Sequence, residues 1–182
     1  ARLAEHRPVL QAVAQAIDAA LNECARDAVL LRDLGYEGPI LPALPASGGI
    51  DFDTLPPLDA LAPPSRRNLI LVKGYHGWAG RALHVLSAIH LAAPHLRDYR
   101  IRVQLPADPV SEMADLMRAS DGLDIAPEPW VPDHGAAIRR MREARMMVAC
   151  SISDGIGTTL LEAMALGAWP IVSNTCCAGE WL

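Results

Sequence analysis

The spacing of the apolar positions changes partway along the chain and divides it into two parts. In the first part Val13, Ile17 and Leu21 recur at helical spacing, which predicts a single helix over residues 4–34. Residues 35–64 then contain seven prolines. Because proline fixes φ and removes a backbone donor, this stretch is predicted to be an extended connector.

In the second part, short apolar runs alternate with amphipathic stretches. The predicted strands are residues 68–75, 100–106, 123–126, 145–151 and 169–174. The predicted helices are residues 81–93, 111–119 (capped by Ser111), 135–144 (capped by Asp133) and 158–166. Regular alternation favours a parallel sheet with right-handed crossovers. The predicted fold class is therefore α/β, a doubly wound, Rossmann-like parallel sheet over residues 67–182, preceded by a helix and connector over residues 1–66.

Composition narrows the class of protein and of partner. The formal net charge is −5, which argues against nucleic acid as the main partner. No apolar run approaches the roughly 20 residues of a membrane span. We therefore expect a cytoplasmic protein and leave membrane association of a longer chain open. The sequence begins with Ala1 and ends on Trp181 and Leu182, so we expect it to be a piece of a longer protein.

No metal site is expected. The four cysteines include no C-x-x-C pair, and no Cys/His cluster has the spacing of metal ligands. We interpret the cysteines as reduced, packed thiols. Residues 51–53 read D-x-D, but they lie in the proline-rich connector rather than at the end of an apolar strand.

A glycine-rich loop after the fourth predicted strand suggests an anion site. Ligands of doubly wound sheets bind beyond the carboxyl ends of the strands. In SDGIGTT, Gly155 and Gly157 permit a sharp turn on either side of Ile156. The amides around Thr158 and Thr159 then begin a helix without intrahelical acceptors, which favours a bound phosphate. The alternative is a tight turn with a threonine cap and no ligand.

Glu162 is the one charged residue in the apolar stretch of residues 160–172. Burying a carboxylate without a partner costs several kcal/mol, so it must reach a cleft or a partner. We expect it to point toward the glycine loop and to accept hydrogen bonds from ligand hydroxyls, and we expect the same of Asp154. The alternative is a solvated or salt-bridged glutamate on a partly exposed helix.

A second glycine loop, KGYHGWAGR, follows the first predicted strand. It matches neither the G-x-G-x-x-G fingerprint nor the phosphate-loop pattern. Lys73 ends the strand, and Arg81 begins the next helix, where a cation is unfavourable against the helix dipole. An anion between these two side chains would relieve that conflict. The alternative is an exposed arginine and a lysine that extends along apolar surface into water.

The stretch SDGIGTTLLEAMALGAWPIVSN resembles the signature of the group 1 (family 4-like) retaining glycosyltransferases, which have the two-domain GT-B fold. Their C-terminal domain carries an E-x7-E motif followed by EAMA-G-P-V. Glu162 matches the second acid, and Asp154 stands where the family has the first, shorter by one methylene. The resemblance covers residues 69–182, and residues 34–53 are a looser match to the interdomain stretch.

The resemblance implies transfer of a glycosyl group from a nucleotide sugar to an unknown acceptor (a glycan, lipid or small molecule), with retention of configuration and without a metal or other cofactor. It implies that Asp154 binds the hydroxyls of the donor sugar and Glu162 the ribose, as the catalytic pair. The donor-binding residues that it implies are Lys73, Gly74, Arg81, Gly155, Ile156, Gly157, Thr158 and Thr159, with the amides of 157–159 at the diphosphate. The N-terminal domain of the same protein would be a partner, so this piece alone is expected to bind donor weakly and to be inactive.

Two other functions stay open from the residues alone. A nucleotide-sugar epimerase of GT-B shape would release epimerised sugar without an acceptor. A non-catalytic α/β binding module would have no need for Glu162 and no affinity for nucleotides.

Overall fold

The computed structural model describes residues 2–45, 50–54, 62–129 and 131–182. Its helices are α1 (Arg2–Ala16), α2 (Ala25–Asp33), α3 (Ala82–Leu91), α4 (Asp108–Asp121), α5 (His134–Arg142) and α6 (Thr158–Ala165). Its strands are β1 (Leu69–Lys73), β2 (Arg100–Gln104), β3 (Asp124–Glu128), β4 (Ala144–Ala149) and β5 (Trp169–Val172). Within the described ranges, no helix is both long enough and apolar enough to span a bilayer.

The five strands form one sheet in the order β3-β2-β1-β4-β5, and every neighbouring pair is parallel. The chain first builds the sheet outward from β1 through β2 and β3, then returns to add β4 on the other side of β1. The order therefore reverses between β1 and β4. This is the doubly wound α/β sheet that the alternation of apolar runs predicts.

β1 is central because both of its faces are apolar. Ile70 and Val72 pack into one cluster with residues of α3 and α4, while Leu69 and Leu71 pack on the opposite face with residues of α5 and α6. All four side chains are at most 2% exposed. Successive side chains of a strand point to opposite faces, so one continuous apolar run serves both layers of helices.

Two helix starts show which local signals are decisive. Asp133 caps α5 as predicted, since its carboxylate accepts hydrogen bonds from the amides of Gly135 at 3.1 Å and Ala136 at 3.0 Å. The predicted cap at Ser111 is wrong: α4 begins three residues earlier, and Ser111 lies inside it. Pro109 sits in the first turn, where its missing N–H is no loss and its fixed φ suits a helix.

The prediction of a single helix over residues 4–34 is also wrong. Residues 17–24 leave the helix because their backbone pairs with the connector instead. The amide of Ala20 donates to the carbonyl of Pro39 at 3.0 Å, and the carbonyl of Ala20 accepts from the amide of Leu41 at 2.9 Å. This parallel bridge overrides a helical periodicity that is only a weak preference.

The connector is irregular where the structure describes it, with short 3₁₀ turns at Phe52–Thr54 and Pro64–Arg66. Residues 46–49 and 55–61 of the predicted connector lie outside the described residues. Of the D-x-D carboxylates, Asp53 belongs to the first of these turns and Asp51 directly precedes it, and the amide of Asp53 donates to Oδ1 of Asp51 at 3.1 Å.

Arg67 holds the end of the connector against the amino-terminal edge of the sheet. It is 8% exposed, and its guanidinium donates to the carbonyls of Ala62 at 2.7 Å, Ala144 at 3.1 Å and Leu166 at 3.0 Å. Burial, followed by the nearby charge of Arg142, lowers the pKa of Arg67. The three carbonyls compensate for the lost water, so the connector, β4 and the end of α6 are held together by one side chain.

Replacing Arg67 with Met tests this anchor. The thioether fills much of the volume but donates no hydrogen bond, so three carbonyls lose their partner. We expect the free energy of unfolding in urea to fall by about 2–4 kcal/mol. The same change at the exposed neighbour Arg66 is the matched control and should stay within about 0.5 kcal/mol of the parent. Equal effects at both positions would contradict the anchoring role.

Candidate functional site

The two glycine-bearing loops meet because β1 and β4 are neighbours. Each loop leaves the carboxyl end of its strand, and the amide of Ile152 donates to the carbonyl of Ala79 at 2.8 Å, which joins them directly. Gly74, at the start of the loop after β1, donates its amide to the carbonyl of Gln104 at 2.8 Å. A Cβ at Gly74 would overlap that carbonyl, so the close approach of these backbones requires glycine.

Four of the residues predicted for the site line one small cavity where the loops meet: Lys73, Asp154, Gly157 and Thr159. Nζ of Lys73 lies 3.2 Å from Oδ2 of Asp154, and the two side chains are 31% and 32% exposed. The cavity holds about 30 Å³, room for little more than one water molecule. A larger ligand must therefore lie across the mouth of the cavity.

The far wall of this cavity comes from β5 and the segment after it. Ser173, Cys176 and Ala178 line it, and sequence reasoning assigned none of them to the site. Both Oγ of Ser173, at 2.8 Å, and Oγ1 of Thr175, at 2.9 Å, donate to the carbonyl of Ser151. These bonds fix the loop after β5 against the loop after β4.

The start of α6 has the open amides that an anion site needs. Gly157 is its N-cap, and no side chain in the described ranges caps the helix there. The carbonyl of Gly157 accepts from Leu160 at 2.9 Å. The first-turn amides of Thr158 and Thr159 precede the first intrahelical bond at the positive end of the helix dipole, and Gly157 and Thr159 line the cavity.

The amide of Ile156, also assigned to the ligand, is engaged by the protein itself. It donates to Oε2 of Glu23 at 3.4 Å. The side chain of Glu23 packs so closely on Gly155 that a Cβ at this glycine would overlap the carboxylate and lie 2.9 Å from Cβ of Glu23. An anionic group does accept from the glycine loop, but it comes from the N-terminal segment.

Two further contacts position residues 23–26, one with the glycine loop and the other with the turn after β5. Nη2 of Arg26 donates to the carbonyl of Asp154 at 3.1 Å, and the amide of Ala25 donates to Oε2 of Glu180 at 2.7 Å. Sequence reasoning missed Glu23 and Arg26. The polar pair at residues 22–23 interrupts the helical pattern of apolar positions and could have indicated a break in the helix. It does not indicate which part of the chain these residues contact.

Glu162 is buried and paired, as its position in an apolar helix requires. It is 8% exposed, and Nε2 of His134 lies 2.7 Å from its Oε1, so the hydrogen is assigned to that ring nitrogen. We expected Glu162 to face the loop on the side of Thr158 and Thr159, whereas its hydrogen bond goes to the first residue of α5. The His134 side chain is 73% exposed, so the pair adjoins solvent at the carboxyl edge of the sheet.

Arg81 and Lys73 are not brought together by a contact. Nε of Arg81 lies 3.5 Å from the carbonyl of Trp78, whereas Lys73 pairs with Asp154. Arg81 has φ of +51° and Leu105, just after β2, has φ of +50°. This conformation costs a non-glycine residue about 1–2 kcal/mol, and residues that adopt it are concentrated at functional sites. Arg81 and Leu105 both lie at the carboxyl edge of the sheet, which is the edge of the candidate site.

In a comparison with known proteins, the C-terminal part of the chain is similar to one described family. Residues 129–182 match the family described as group 1 glycosyl transferases. No curated protein matches the sequence significantly.

Solved structures match nearly the whole chain. The pneumococcal O-GlcNAc transferase GtfA, in complex with UDP and GlcNAc, has a TM-score of 0.68 at 16% identity, over 91% of this chain and 32% of its own. The α,α-trehalose 6-phosphate synthase of Burkholderia multivorans has a TM-score of 0.72 at 12% identity, over 98% and 50%. HepE of Anabaena, in complex with UDP-glucose, has a TM-score of 0.66 at 12% identity, over 97% and 51%.

At these identities the likeness establishes the fold, which is the Rossmann-like fold of GT-B glycosyltransferases. The chain spans 32%, 50% and 51% of the lengths of these three structures. It therefore corresponds to one part of each of these longer structures.

The contact between Glu23 and the glycine loop can be tested at Gly155. Replacing Gly155 with Ala places a methyl group against Glu23, and we expect the free energy of unfolding to fall by about 1–3 kcal/mol. Gly157→Ala is the matched control, because its Cβ would lie 3.4 Å from Oδ2 of Asp154, an ordinary contact. We expect that control to stay within about 0.5 kcal/mol.

Adding Glu23→Ala to Gly155→Ala removes the overlapping side chain, so the two effects should combine non-additively by about 1 kcal/mol. Simple additivity in this double-mutant cycle would show that the two residues are not in contact.

Proposed function

We propose that the chain, whose residues 129–182 match the group 1 glycosyl transferases, forms the donor-binding part of a glycosyltransferase that uses a nucleoside-diphosphate sugar. One observation supports this most directly. A single cation, Lys73, and the open first turn of α6 converge on the same cavity mouth. An ammonium group and helix N-terminal amides together suit a diphosphate.

Lys73 is already paired, so binding involves an exchange of partners. In the described structure the counterion of Lys73 is Asp154, at 3.2 Å. When a diphosphate arrives, Lys73 turns to its oxygens and Asp154 becomes available for neutral hydroxyl groups of the donor sugar. A carboxylate accepts such hydrogen bonds well, whereas it repels phosphate.

The diphosphate is also the leaving group of the proposed reaction. Negative charge grows on it as the glycosyl bond breaks, and donors already held in place stabilise that charge without reorganising. We propose that Lys73 and the amides of Thr158 and Thr159 supply this stabilisation, and that the transfer does not depend on a metal. Retention of configuration is part of the same proposal, by resemblance to the family.

We assign the ribose to the Glu162–His134 pair. The bond to His134 uses one of about four lone-pair sites of the carboxylate, so Glu162 keeps capacity for ribose hydroxyls. A hollow of about 140 Å³ is lined by Ala137 of α5, three residues after His134, and partly by Leu105, Pro129 and Val131. Its apolar wall suits the flat face of a base.

The acceptor site belongs to the whole protein. Because the chain spans about a third to a half of the structures that it matches, we propose that the N-terminal domain of a GT-B enzyme binds the acceptor, which is a glycan, a lipid or a small molecule. The chain by itself should bind donor weakly and catalyse little. Affinity for nucleotides is therefore the property to measure.

Replacing Glu162 with Gln tests the ribose assignment. The amide keeps the shape but loses the negative charge that accepts hydroxyl hydrogens, so calorimetry should show UDP affinity reduced about 10-fold. Affinity for inorganic pyrophosphate should be unchanged. Glu112→Gln, an exposed change on α4, serves as the control and should leave both affinities at the parent value. Equal losses for UDP and pyrophosphate would refute a role at the ribose.

Lys73 is the one lysine of the sequence, which allows a direct chemical test. An amine-reactive reagent can modify the chain at Lys73 and at the terminal amine, and peptide mass spectrometry separates the two products. We expect a saturating nucleotide diphosphate to slow modification of Lys73 at least about 5-fold, following the fraction of sites occupied. The terminal amine is the internal control. A nucleoside without phosphate should not protect, and protection by the nucleoside would place the diphosphate elsewhere.

A further inference from the structure

Three potential metal ligands converge away from the cavity. The sulfur atoms of Cys24 and Cys177 and a carboxylate oxygen of Glu180 lie within 4.8 Å of one another. Cys24 is 0% and Cys177 5% exposed. Ala178 lines the cavity of the candidate site, whereas Cys177 and Glu180 border a separate hollow of about 390 Å³ that opens to solvent. An ion could reach the cluster through this hollow.

The three side chains come from distant parts of the chain but are held in place. Cys24 is the N-cap of α2, and Cys177 and Glu180 belong to the 3₁₀ turn Cys177–Glu180. The amide of Ala25 donates to Oε2 of Glu180 at 2.7 Å, which aligns the two segments. A carboxylate that accepts one amide still has lone pairs for a metal ion.

We propose that Cys24, Cys177 and Glu180 bind a zinc-like divalent transition-metal ion, with water as the fourth ligand. Thiolates select borderline and soft metals over Mg²⁺ and Ca²⁺. With Zn–S bonds of about 2.3 Å, two sulfur atoms on a tetrahedral ion stand about 3.8 Å apart. That separation falls within the 4.8 Å limit of the cluster, so small adjustments of the side chains complete the site.

A disulfide between the same cysteines accounts for less of the geometry. It would require the sulfur atoms to approach to about 2 Å, and it would give Glu180 no role. It would also need an oxidant to reach two thiols that are at most 5% exposed.

The charges around the cluster suit a divalent cation. Two thiolates and one carboxylate carry three negative charges, of which the ion neutralises two and Arg26 can offset the third. Arg26 borders the same hollow as Cys177 and Glu180. A metal that binds here replaces the thiol protons.

The metal would act on the N-terminal segment. It joins residue 24 to residues 177–180, and Nη2 of Arg26 already donates to the carbonyl of Asp154 at 3.1 Å. The ion would therefore fix residues 23–26 beside the glycine loop. This inference does not depend on the function proposed above, because metal binding can be measured without a nucleotide or an acceptor.

Titration of the reduced protein with Co²⁺, in a phosphine reductant, tests the proposal. We expect about one equivalent of Co²⁺ to bind and to produce the near-ultraviolet thiolate-to-cobalt absorption of a site with two thiolates. We expect Zn²⁺ to displace the bound Co²⁺. Zn²⁺ should raise the midpoint of thermal unfolding in a concentration-dependent way, and Mg²⁺ should not. Absence of Co²⁺ binding, or binding without the thiolate absorption, overturns the proposal.

Variants assign the ligands. Cys177→Ser should weaken Zn²⁺ binding more than about 100-fold, since even partners outside the ligand set are worth about 10–100-fold. Glu180→Gln, at an exposed position, keeps an acceptor for Ala25, so it should fold normally and still lose affinity. Cys150→Ser is the control, because Cys150 packs against the core cluster on the α3 face of the sheet. Unchanged affinity in folded Cys177→Ser and Glu180→Gln refutes the site.

Discussion

The parallel pairing of β1 with β4 is the constraint on which the rest of the site depends. The strand order reverses between them, so the loops that follow turn toward opposite faces of the sheet and leave a crevice. The pairing also places Lys73, at the end of β1, within 3.2 Å of Asp154, although 81 residues separate them along the chain. Both faces of β1 are covered by apolar clusters, so a change of register would bury polar side chains on one face.

What could be predicted from the sequence follows from local physical chemistry. The run of residues 69–72 predicts a strand buried on both faces, and β1 is that strand. The cap of α5 follows from Asp133 alone, since its carboxylate reaches amides only two and three residues away. Likewise, Gly155 and Gly157 in the loop after β4 and the open first turn of α6 belong to one short segment, so their role as a turn could be predicted without tertiary information.

The remaining features depend on contacts between distant parts of the chain. The bond between Ile156 and Glu23 spans 133 residues, and the bond between Glu162 and His134 spans 28. The sequence shows that a carboxylate in the apolar stretch before β5 needs a partner, but several polar residues meet that need equally well. Similarly, the end of α1 is decided by a backbone bridge to the connector, and backbone groups leave no trace in the side-chain pattern.

The charges beside the glycine loop bear on how an anion could bind there. Lys73 is paired with Asp154, and Arg26 contacts the carbonyl of Asp154 and lies 3.8 Å from Oδ1 of Asp27, so a diphosphate would meet cations that already have partners. The arrival of a diphosphate therefore has to release a carboxylate from its cation. The Lys73–Asp154 pair is about one-third exposed, and pairs of that kind contribute no more than about 1 kcal/mol. Separating Lys73 from Asp154 therefore costs little free energy, whereas Glu23 is packed against Gly155 and moves less readily. The anion should therefore bind on the Lys73 side of the loop, over the first turn of α6.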